Sequence, residues 1–246
     1  VEASLPVRLS QNYLTKSQLM IVDLLAHFNW QRPIYFATSI GSQFYMGLGN
    51  YLRDEGFAYR LVPYKRPTPD DEEGHIDTGL LYQRLMKTFT WGRMNADDVH
   101  MDEQNNRTIR IMRIRGKFNR LAQALIDEGK NEKAVQVLDK VVQLMPHPKI
   151  PYQLDVGQTI GLYYKAGETE KAATLAQDVF GAMEKRLTYF YTVSKNRGSQ
   201  LGYEAQVAFE VMRQLAVYAD DYGQDELHKQ FEPVVRSFYP LIYGDN

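Results

Sequence analysis

The segment from residue 118 to residue 146 spaces small and large apolar residues as two packed helices require. Large apolar residues recur every three or four positions from Phe118 to Leu125, so they share one helix face. Ala134 is the small residue at which a second helix can approach the first closely. Between them, Gly129 suits the positive φ of a tight turn that follows a helix. The segment therefore predicts two antiparallel helices joined at Gly129.

A second segment, from Val156 to Val179, carries small and large residues in the same order, with Gly167 at its turn. Its small residue Ala172 follows Ala134 by 172 − 134 = 38 positions. Tandem helical hairpins with a period of about 34 residues are typical of tetratricopeptide repeats, and both segments resemble that repeat. The expected repeats, including a degenerate third one that would cap the array, lie at about 115–148, 153–186 and 200–240.

The N-terminal quarter alternates helix-like and strand-like stretches. Thr15 to Phe28 has apolar residues at helical spacing behind a Thr15–Gln18 capping box. Two stretches, 34–38 and 57–63, are rich in β-forming residues. The alternation predicts a small α/β layer with right-handed crossovers. The helix is expected to bury Leu19, Val22, Leu25 and Ala26, and the weaker elements are a strand at 6–10 and a helix at 45–53.

The sequence as a whole predicts an α+β fold that is mostly α. A small α/β layer should occupy residues 1–64, and an acidic, proline-rich loop should follow at 65–78. The helical region with its tetratricopeptide-like hairpins should occupy residues 79–246.

Composition excludes several classes of function. A net charge of −1, from 29 basic and 30 acidic residues, gives no support for nucleic-acid binding or for binding to anionic membranes. The absence of cysteine rules out disulfides and thiolate chemistry. No stretch approaches the roughly 18 apolar residues of a membrane span. The first residues show neither an initiator Met nor a signal-peptide pattern, so we expect a piece of a longer protein.

Motifs for catalysis and for cofactors are weak. Gly47 and Gly49 begin a dinucleotide fingerprint, but Leu52 stands where its third glycine is needed, which favours an ordinary turn. His100 and Asp102 could contribute to a metal site, although Asp102 equally suits the N-cap of a helix that runs to about residue 128. We find no P-loop and no nucleophile elbow. We therefore expect no catalytic residue, metal or cofactor in this chain.

Five aromatic and arginine side chains lie beside predicted loops and form the first candidate binding site. Flat rings stack on sugars or peptides, and guanidinium groups pair with rings or anions. The alternative, which large aromatics favour, is a buried seam between the α/β layer and the helices. These residues are Trp30, Arg32, Tyr35, Trp91 and Arg93.

The first helices of the predicted hairpins provide the second candidate site, because they would line a concave groove for an extended peptide. In the second hairpin Gly157 and Gly161 would supply space for the peptide rather than contacts. The polar positions expected to bind are Asn119, Gln123, Asp127, Tyr164 and Lys165.

Three further stretches resemble one family. They are LTKSQLMIVDLLAHFNWQRPIYFATSIG at 14–41, GLGNYLRDEGFAYRLVP at 47–63 and FTWGRMNADDVHMDEQNNRT at 89–108. They look like the C-terminal soluble region of large bacterial multi-pass membrane proteins, a domain-of-unknown-function family related to protein O-mannosyltransferases. The resemblance implies that catalysis on a lipid-linked sugar belongs to a membrane part outside this chain. It also implies a location on the periplasmic face of the inner membrane.

Together these observations predict a non-enzymatic interaction module of a membrane-bound glycosyltransferase-like protein. Its partners would be a protein, a peptide or a glycan, together with the membrane part of its own parent chain. One alternative is a free-standing glycan- or peptide-binding protein, and a weaker one is a metal-dependent enzyme at His100 and Asp102.

Overall fold

The computed structural model describes residues 5–9, 12–67, 74–102, 104–106, 114–197 and 201–243. It divides into two compact units. The first comprises Val1–Thr90 and Arg107–Lys117, and the second comprises Trp91–Asn106 and Phe118–Asn246. A small sheet lies in the first unit and long helices make up most of the second, so the fold is α+β and mostly α, as the sequence predicts.

The first helix, α1, spans Lys16–Ala26 and starts with the predicted capping box. The Gln18 backbone N–H donates to the Thr15 hydroxyl at 3.3 Å, and the Thr15 N–H donates to the Gln18 side chain at 2.9 Å. The predicted buried stripe is partly wrong, because Leu19 is 56% exposed. Leu25 packs against the core as expected, together with Ile21, whereas Ala26 is exposed, so the buried face is rotated from the expected one.

Three short strands form an antiparallel sheet. They are β1 (Tyr35–Ala37), β2 (Leu52–Asp54) and β3 (Ala58–Leu61), in the order β1–β3–β2. Antiparallel pairing overturns the prediction of right-handed crossovers, which require parallel strands. Two other expectations also fail. Residues 6–9 form no strand, and the helix expected at 45–53 is replaced by the 3₁₀ turn Gly49–Tyr51 and by β2.

One face of the sheet forms the core of the first unit. Phe36, Leu52, Tyr59 and Leu61 point to this face and pack with residues of the preceding turns. Gly74 and His75 extend the sheet beside β2, since the His75 N–H donates to the Leu52 carbonyl at 2.8 Å. A Cβ at Gly74 would lie 2.7 Å from the Leu52 carbonyl oxygen, so this close approach requires glycine. Residues 68–73 of the predicted acidic loop lie outside the described residues.

Helix α2 spans Thr78–Gln83 and continues as π-helix over Arg84–Thr88. Asp77 is its N-cap, and its side chain accepts from the Leu80 N–H at 3.0 Å. Asp102 likewise accepts from the Asn105 N–H at 2.7 Å, as an N-cap of the helical residues 104–106. The continuation of that predicted helix through residues 107–113 lies outside the described residues.

The second unit consists mainly of helices joined at glycine turns. Turns with positive φ fall at Gly129, Gly167 and Gly223 (73°, 89° and 64°), and the first two were predicted. The helix expected to end near residue 186 continues much further. Its helices are α3 (Ile114–Asp127, whose first residues cluster with the first unit), α4 (Asn131–Leu144), α5 (Leu154–Lys165), α6 (Thr169–Arg197), α7 (Tyr203–Asp221) and α8 (Asp225–Tyr243).

Helices α5 and α7 pack closely at two glycines. A Cβ on Gly157 would lie 2.1 Å from Gln214 Oε1, and one on Gly161 would lie 2.8 Å from the Tyr218 ring and its hydroxyl. The prediction that these glycines leave space for a peptide is therefore wrong, because side chains of α7 already occupy it.

Among the described residues, no helix is both long and apolar enough to cross a bilayer.

Candidate functional site

The face of the sheet opposite the core presents a row of polar side chains. In the register, Arg60 of β3 lies opposite Tyr35 of β1 on one side and opposite Arg53 of β2 on the other. Directly opposed residues point to the same face, so the two guanidinium groups are neighbours. Like charges in this arrangement repel each other, which makes the row costly unless an anion compensates it.

Glu55, which follows β2, is the anion within this row. Its carboxylate is only 5% exposed and receives a hydrogen bond of 2.6 Å from Arg53. Arg84 reaches it from the π-helix at 3.4 Å, and Arg60 lies 4.0 Å away. The Tyr35 hydroxyl also donates to it at 3.4 Å. Among the described residues, a single carboxylate thus faces three arginines, and this set keeps an excess of positive charge.

The charge of Arg53 is fixed by this neighbour. Burial disfavours its charged form, but the hydrogen bond and the negative charge of Glu55 outweigh that effect and raise the Arg53 pKa above its ordinary value. Its Nε atom is buried and has no hydrogen-bond partner among the residues described.

A cavity of about 180 Å³ opens beside the two arginines of the row. Trp30 forms part of its wall and is 41% exposed, and its ring lies 4.5 Å from that of Phe28 at an angle of 54°. Its φ of 65° is unusual for a residue with a large side chain, so the surrounding structure holds the ring in this place. The cavity is lined by Phe28, Trp30, Pro33, Arg53, Arg60, Leu61, Val62, Pro63 and Tyr64. It combines an exposed indole with guanidinium donors, which suits a ligand that has a flat apolar part and an acidic group.

The five residues of the first predicted site fall into two groups. Trp30 and Tyr35 belong to the cluster described above, and Arg32 is exposed in the same unit. Trp91 and Arg93 belong to the second unit. There Trp91 is half-buried, with its ring 5.2 Å from that of Phe118. Arg93 forms an exposed ion pair with Asp98 at 2.5 Å.

The residues of the second predicted site differ in their access to solvent. Asn119 is 3% exposed and joins α3 to α5: its side chain donates to the Asp155 carbonyl at 2.8 Å and accepts from the Thr159 hydroxyl at 2.9 Å. A peptide would have to displace these bonds to contact Asn119. The remaining exposed groups bond to one another, since Lys165 donates to Gln123 at 2.9 Å and Gln123 donates to Asp127 at 2.7 Å.

Tyr164 is buried as well. Its ring stacks on Tyr222 at 4.5 Å, and burial raises the pKa of its hydroxyl. The helical groove therefore offers Gln123, Asp127 and Lys165 as accessible side chains, already linked in a chain of hydrogen bonds.

Metal ligation has little support in the described part of the chain. It contains no group of three or more His, Cys, Asp or Glu side chains placed to hold a metal ion. His100 is exposed, and Asp102 is engaged as the helix cap.

Sequence reasoning missed the charged members of the site on the sheet. Arg53 and Glu55 alternate as residues on one face of a strand do, and this signal was masked by the expected helix at 45–53. Arg60 sits at an alternating position of the strand that was predicted correctly. Arg84 comes from a helix 29 residues beyond Glu55, and no local pattern in the sequence indicates that contact.

Comparison with known proteins gives one match. A family model described as TMEM260-associated domain 2 matches residues 1–80, which contain α1 and the whole sheet with Arg53, Glu55 and Arg60. No curated protein and no solved structure matches the chain. The family match is consistent with a domain of a TMEM260-like membrane protein.

Proposed function

We propose that this chain is a non-catalytic accessory domain of a membrane-bound glycosyltransferase-like protein, and that it holds a protein partner through the site on its sheet. Catalysis would belong to another part of the parent chain, and this domain would stand on the extracytoplasmic, periplasmic side of the membrane. Two lines of support come from the sequence resemblance and from the match of residues 1–80 to a TMEM260-associated domain.

The excess positive charge beside an exposed tryptophan is the observation that carries this proposal. Arg53 and Arg60 stand next to each other with Glu55 as their shared carboxylate, and Trp30 lines the adjoining cavity. An acidic segment of a protein supplies carboxylates for the arginines and apolar groups for the indole. Charge-assisted hydrogen bonds of this kind give specificity as well as affinity.

Calorimetric titration with matched peptides tests the proposal. An acidic peptide should bind, whereas the same peptide with Glu replaced by Gln should bind at least about ten-fold more weakly, because each 1.4 kcal/mol of lost interaction weakens binding ten-fold. Arg60→Ala and Trp30→Ala should weaken the acidic peptide, and Lys87→Ala, an exposed residue of the same unit, should not. Equal binding of both peptides, or equal effects of all three variants, would overturn the proposal.

A second candidate function, a free-standing glycan-binding protein, rests on the same exposed Trp30. A flat indole can stack on a sugar ring without any charge on the ligand. In this case a neutral oligosaccharide should bind, Trp30→Ala should abolish the binding, and Arg60→Ala should leave it unchanged. The two candidates are thus separated by the response to the arginine variant.

A further inference from the structure

A second cavity in the first unit, of about 360 Å³, lies at the glycine-rich turn. Its size falls within the roughly 300–1,000 Å³ of ligand pockets in proteins. None of its described lining residues is an acid, and two are cations. The cavity is lined by Pro6, Arg8, Ser42, Tyr45, Gly47, Gly49, Asn50, Tyr51 and Lys65.

One wall is fixed where Arg8 lies on the turn. The Arg8 N–H donates to the Met46 carbonyl at 2.7 Å. Gly47 has a φ of 80°, and a Cβ there would lie 2.9 Å from the Arg8 Cβ. Glycine is therefore needed at position 47 both for the backbone conformation and for the approach of Arg8.

The opposite wall is fixed through Asn50 and Tyr51. The Arg66 N–H donates to the Asn50 carbonyl at 2.8 Å, which holds the segment that carries Lys65. The Val62 N–H donates to the Tyr51 carbonyl, also at 2.8 Å. Both cations thus stand on backbone that is hydrogen-bonded to the residues from Met46 to Asn50.

The turn between the two walls is held by its own hydrogen bonds. Met46 and Gly47 are consecutive residues with positive φ (51° and 80°). The Tyr45 N–H donates to the Ser42 carbonyl at 2.9 Å, and the Leu48 N–H donates to the Tyr45 carbonyl at 2.8 Å. This differs from the dinucleotide fingerprint, because the glycines here join two 3₁₀ turns instead of a strand and a helix.

We propose that this cavity, the Arg8–Lys65 pocket, binds a phosphate group. An arginine supplies a planar pair of donors and a lysine supplies a point charge, and the two together are typical of phosphate sites. Ser42 and Asn50 are polar residues of the same lining. The volume of the cavity leaves room for more than a bare phosphate ion, so the ligand is a phosphate monoester or diester.

Titration of the full chain with inorganic phosphate and with phenyl phosphate, at constant ionic strength, tests the site. Both should bind, with phenyl phosphate bound more tightly. Arg8→Gln and Lys65→Gln should each weaken binding by about ten-fold or more. Lys16→Gln, which removes the same charge from an exposed position of α1, should leave it within about two-fold.

Arg60→Ala separates this proposal from the proposed function. Arg60 belongs to the site on the sheet, so its loss should weaken the acidic peptide and leave phosphate binding unchanged. Three results would overturn the Arg8–Lys65 pocket. The chain could bind neither phosphate compound and no phosphate lipid. Lys16→Gln could weaken phosphate binding as much as Arg8→Gln, or Arg60→Ala could abolish it while Arg8→Gln does not. Circular dichroism of each variant shows that the fold is retained.

Vesicles distinguish the source of the phosphate. Vesicles of phosphatidylcholine with phosphatidic acid should retain the chain through Arg8 and Lys65 if a lipid head group is the ligand. Binding of the soluble phosphate compounds without retention by vesicles assigns the pocket to a free phosphate ester. Retention by vesicles and binding of the soluble compounds alone both support the proposal, provided that Arg8→Gln and Lys65→Gln abolish the binding that is observed.

Discussion

The two compact units differ in where they bury charge. In the first unit the buried titratable side chains include Asp54, Glu55, His75 and Lys117. In the second, the buried polar residues among those described are the neutral Asn119 and Thr159. Most ion pairs described there lie at the surface, as between Lys171 and Asp139, which are 45% and 47% exposed, although Arg186 of the Arg186–Glu204 pair is only 22% exposed.

This difference follows from the architecture. Long amphipathic helices bury their apolar faces, form their backbone hydrogen bonds internally and leave their charged side chains in water. A three-stranded sheet has few apolar residues to bury, and its core face includes Asp54 within β2. Lys117 compensates that charge, donating to Asp54 and to the Tyr59 hydroxyl at 2.7 Å each. The first unit therefore depends on a few specific pairs, and the second on many interchangeable apolar contacts.

The largest expected change in the free energy of unfolding comes from substituting Lys117. Lys117→Met keeps an unbranched side chain but removes the ammonium from Asp54, which is 0% exposed. Breaking a buried ion pair costs about 3–5 kcal/mol, so we expect the free energy of unfolding of the first unit to fall by this amount. Urea denaturation measures it. In a Trp91→Phe background the remaining tryptophan, Trp30, reports on the first unit by fluorescence.

A double variant separates charge from packing at this pair. Asp54→Asn together with Lys117→Met leaves no buried charge unpaired at the site, and it should recover part of the loss. An equal loss in the single and double variants would show that Lys117 acts through packing, and the contrast between the units would weaken.

The next effect concerns the close contact between α5 and α7. Gly161→Ala places a methyl group 2.8 Å from the Tyr218 ring, whose hydroxyl accepts a hydrogen bond from Gln214 at 3.0 Å. Overpacking of this kind costs about 1–3 kcal/mol. Gly181→Ala in α6 is the control, because nothing lies within 4 Å of its Cβ position. It should stabilise the helix by about 0.5–1 kcal/mol. Destabilisation by both variants in thermal denaturation would show that the contact with Tyr218 is not the cause.

Acidification should affect the first unit through His75. Burial lowers the pKa of this imidazole, so below the ordinary pKa of about 6.5 the unfolded chain binds a proton that the folded one does not. The contribution of neutral His75 to the free energy of unfolding should therefore be fully present above about pH 6.5. It should decrease as the pH falls from there toward the lowered pKa, by at most about 1.4 kcal/mol per pH unit. The groups that act on it are the Leu52 backbone and Asp77, which raise the pKa, and Arg66 and Arg53, which lower it.

Melting temperatures between about pH 8 and pH 5 measure this dependence, and His75→Gln should flatten it. His147 in the second unit is the comparison. Partial burial also lowers the pKa of His147, but much of its side chain is exposed to solvent, which screens its charge. His147→Gln should therefore change the pH dependence of the melting temperature less than His75→Gln. A larger effect of His147→Gln than of His75→Gln would contradict the view that the first unit is the more sensitive to buried charge.

The same difference explains how far the sequence predicts the structure. The helices of the second unit follow a period of three to four residues, and a glycine marks the turns at residues 129, 167 and 223, so these turns could be predicted. In the first unit β2 has three residues, too few to show a period, and it was mistaken for part of a helix. The site on the sheet was found in part, through Trp30 and Tyr35. Arg84 and Lys117 could not be found, since they meet their partners only through the tertiary fold.

The smallest expected change in the free energy of unfolding comes from the exposed ion pair between Lys171 and Asp139 in the second unit. Lys171→Ala removes a partner 2.8 Å from Asp139, but exposed ion pairs contribute about 0–1 kcal/mol because water screens them. Asp139→Ala should cost more. The Tyr163 hydroxyl also donates to Asp139 at 2.9 Å, and Tyr163 is only 3% exposed. Leaving that hydroxyl without an acceptor adds about 1–3 kcal/mol. Urea denaturation of the two variants measures the difference. Equal losses would mean that water replaces Asp139 at Tyr163, and that the second unit tolerates the loss of a half-buried acceptor as readily as the loss of a surface charge.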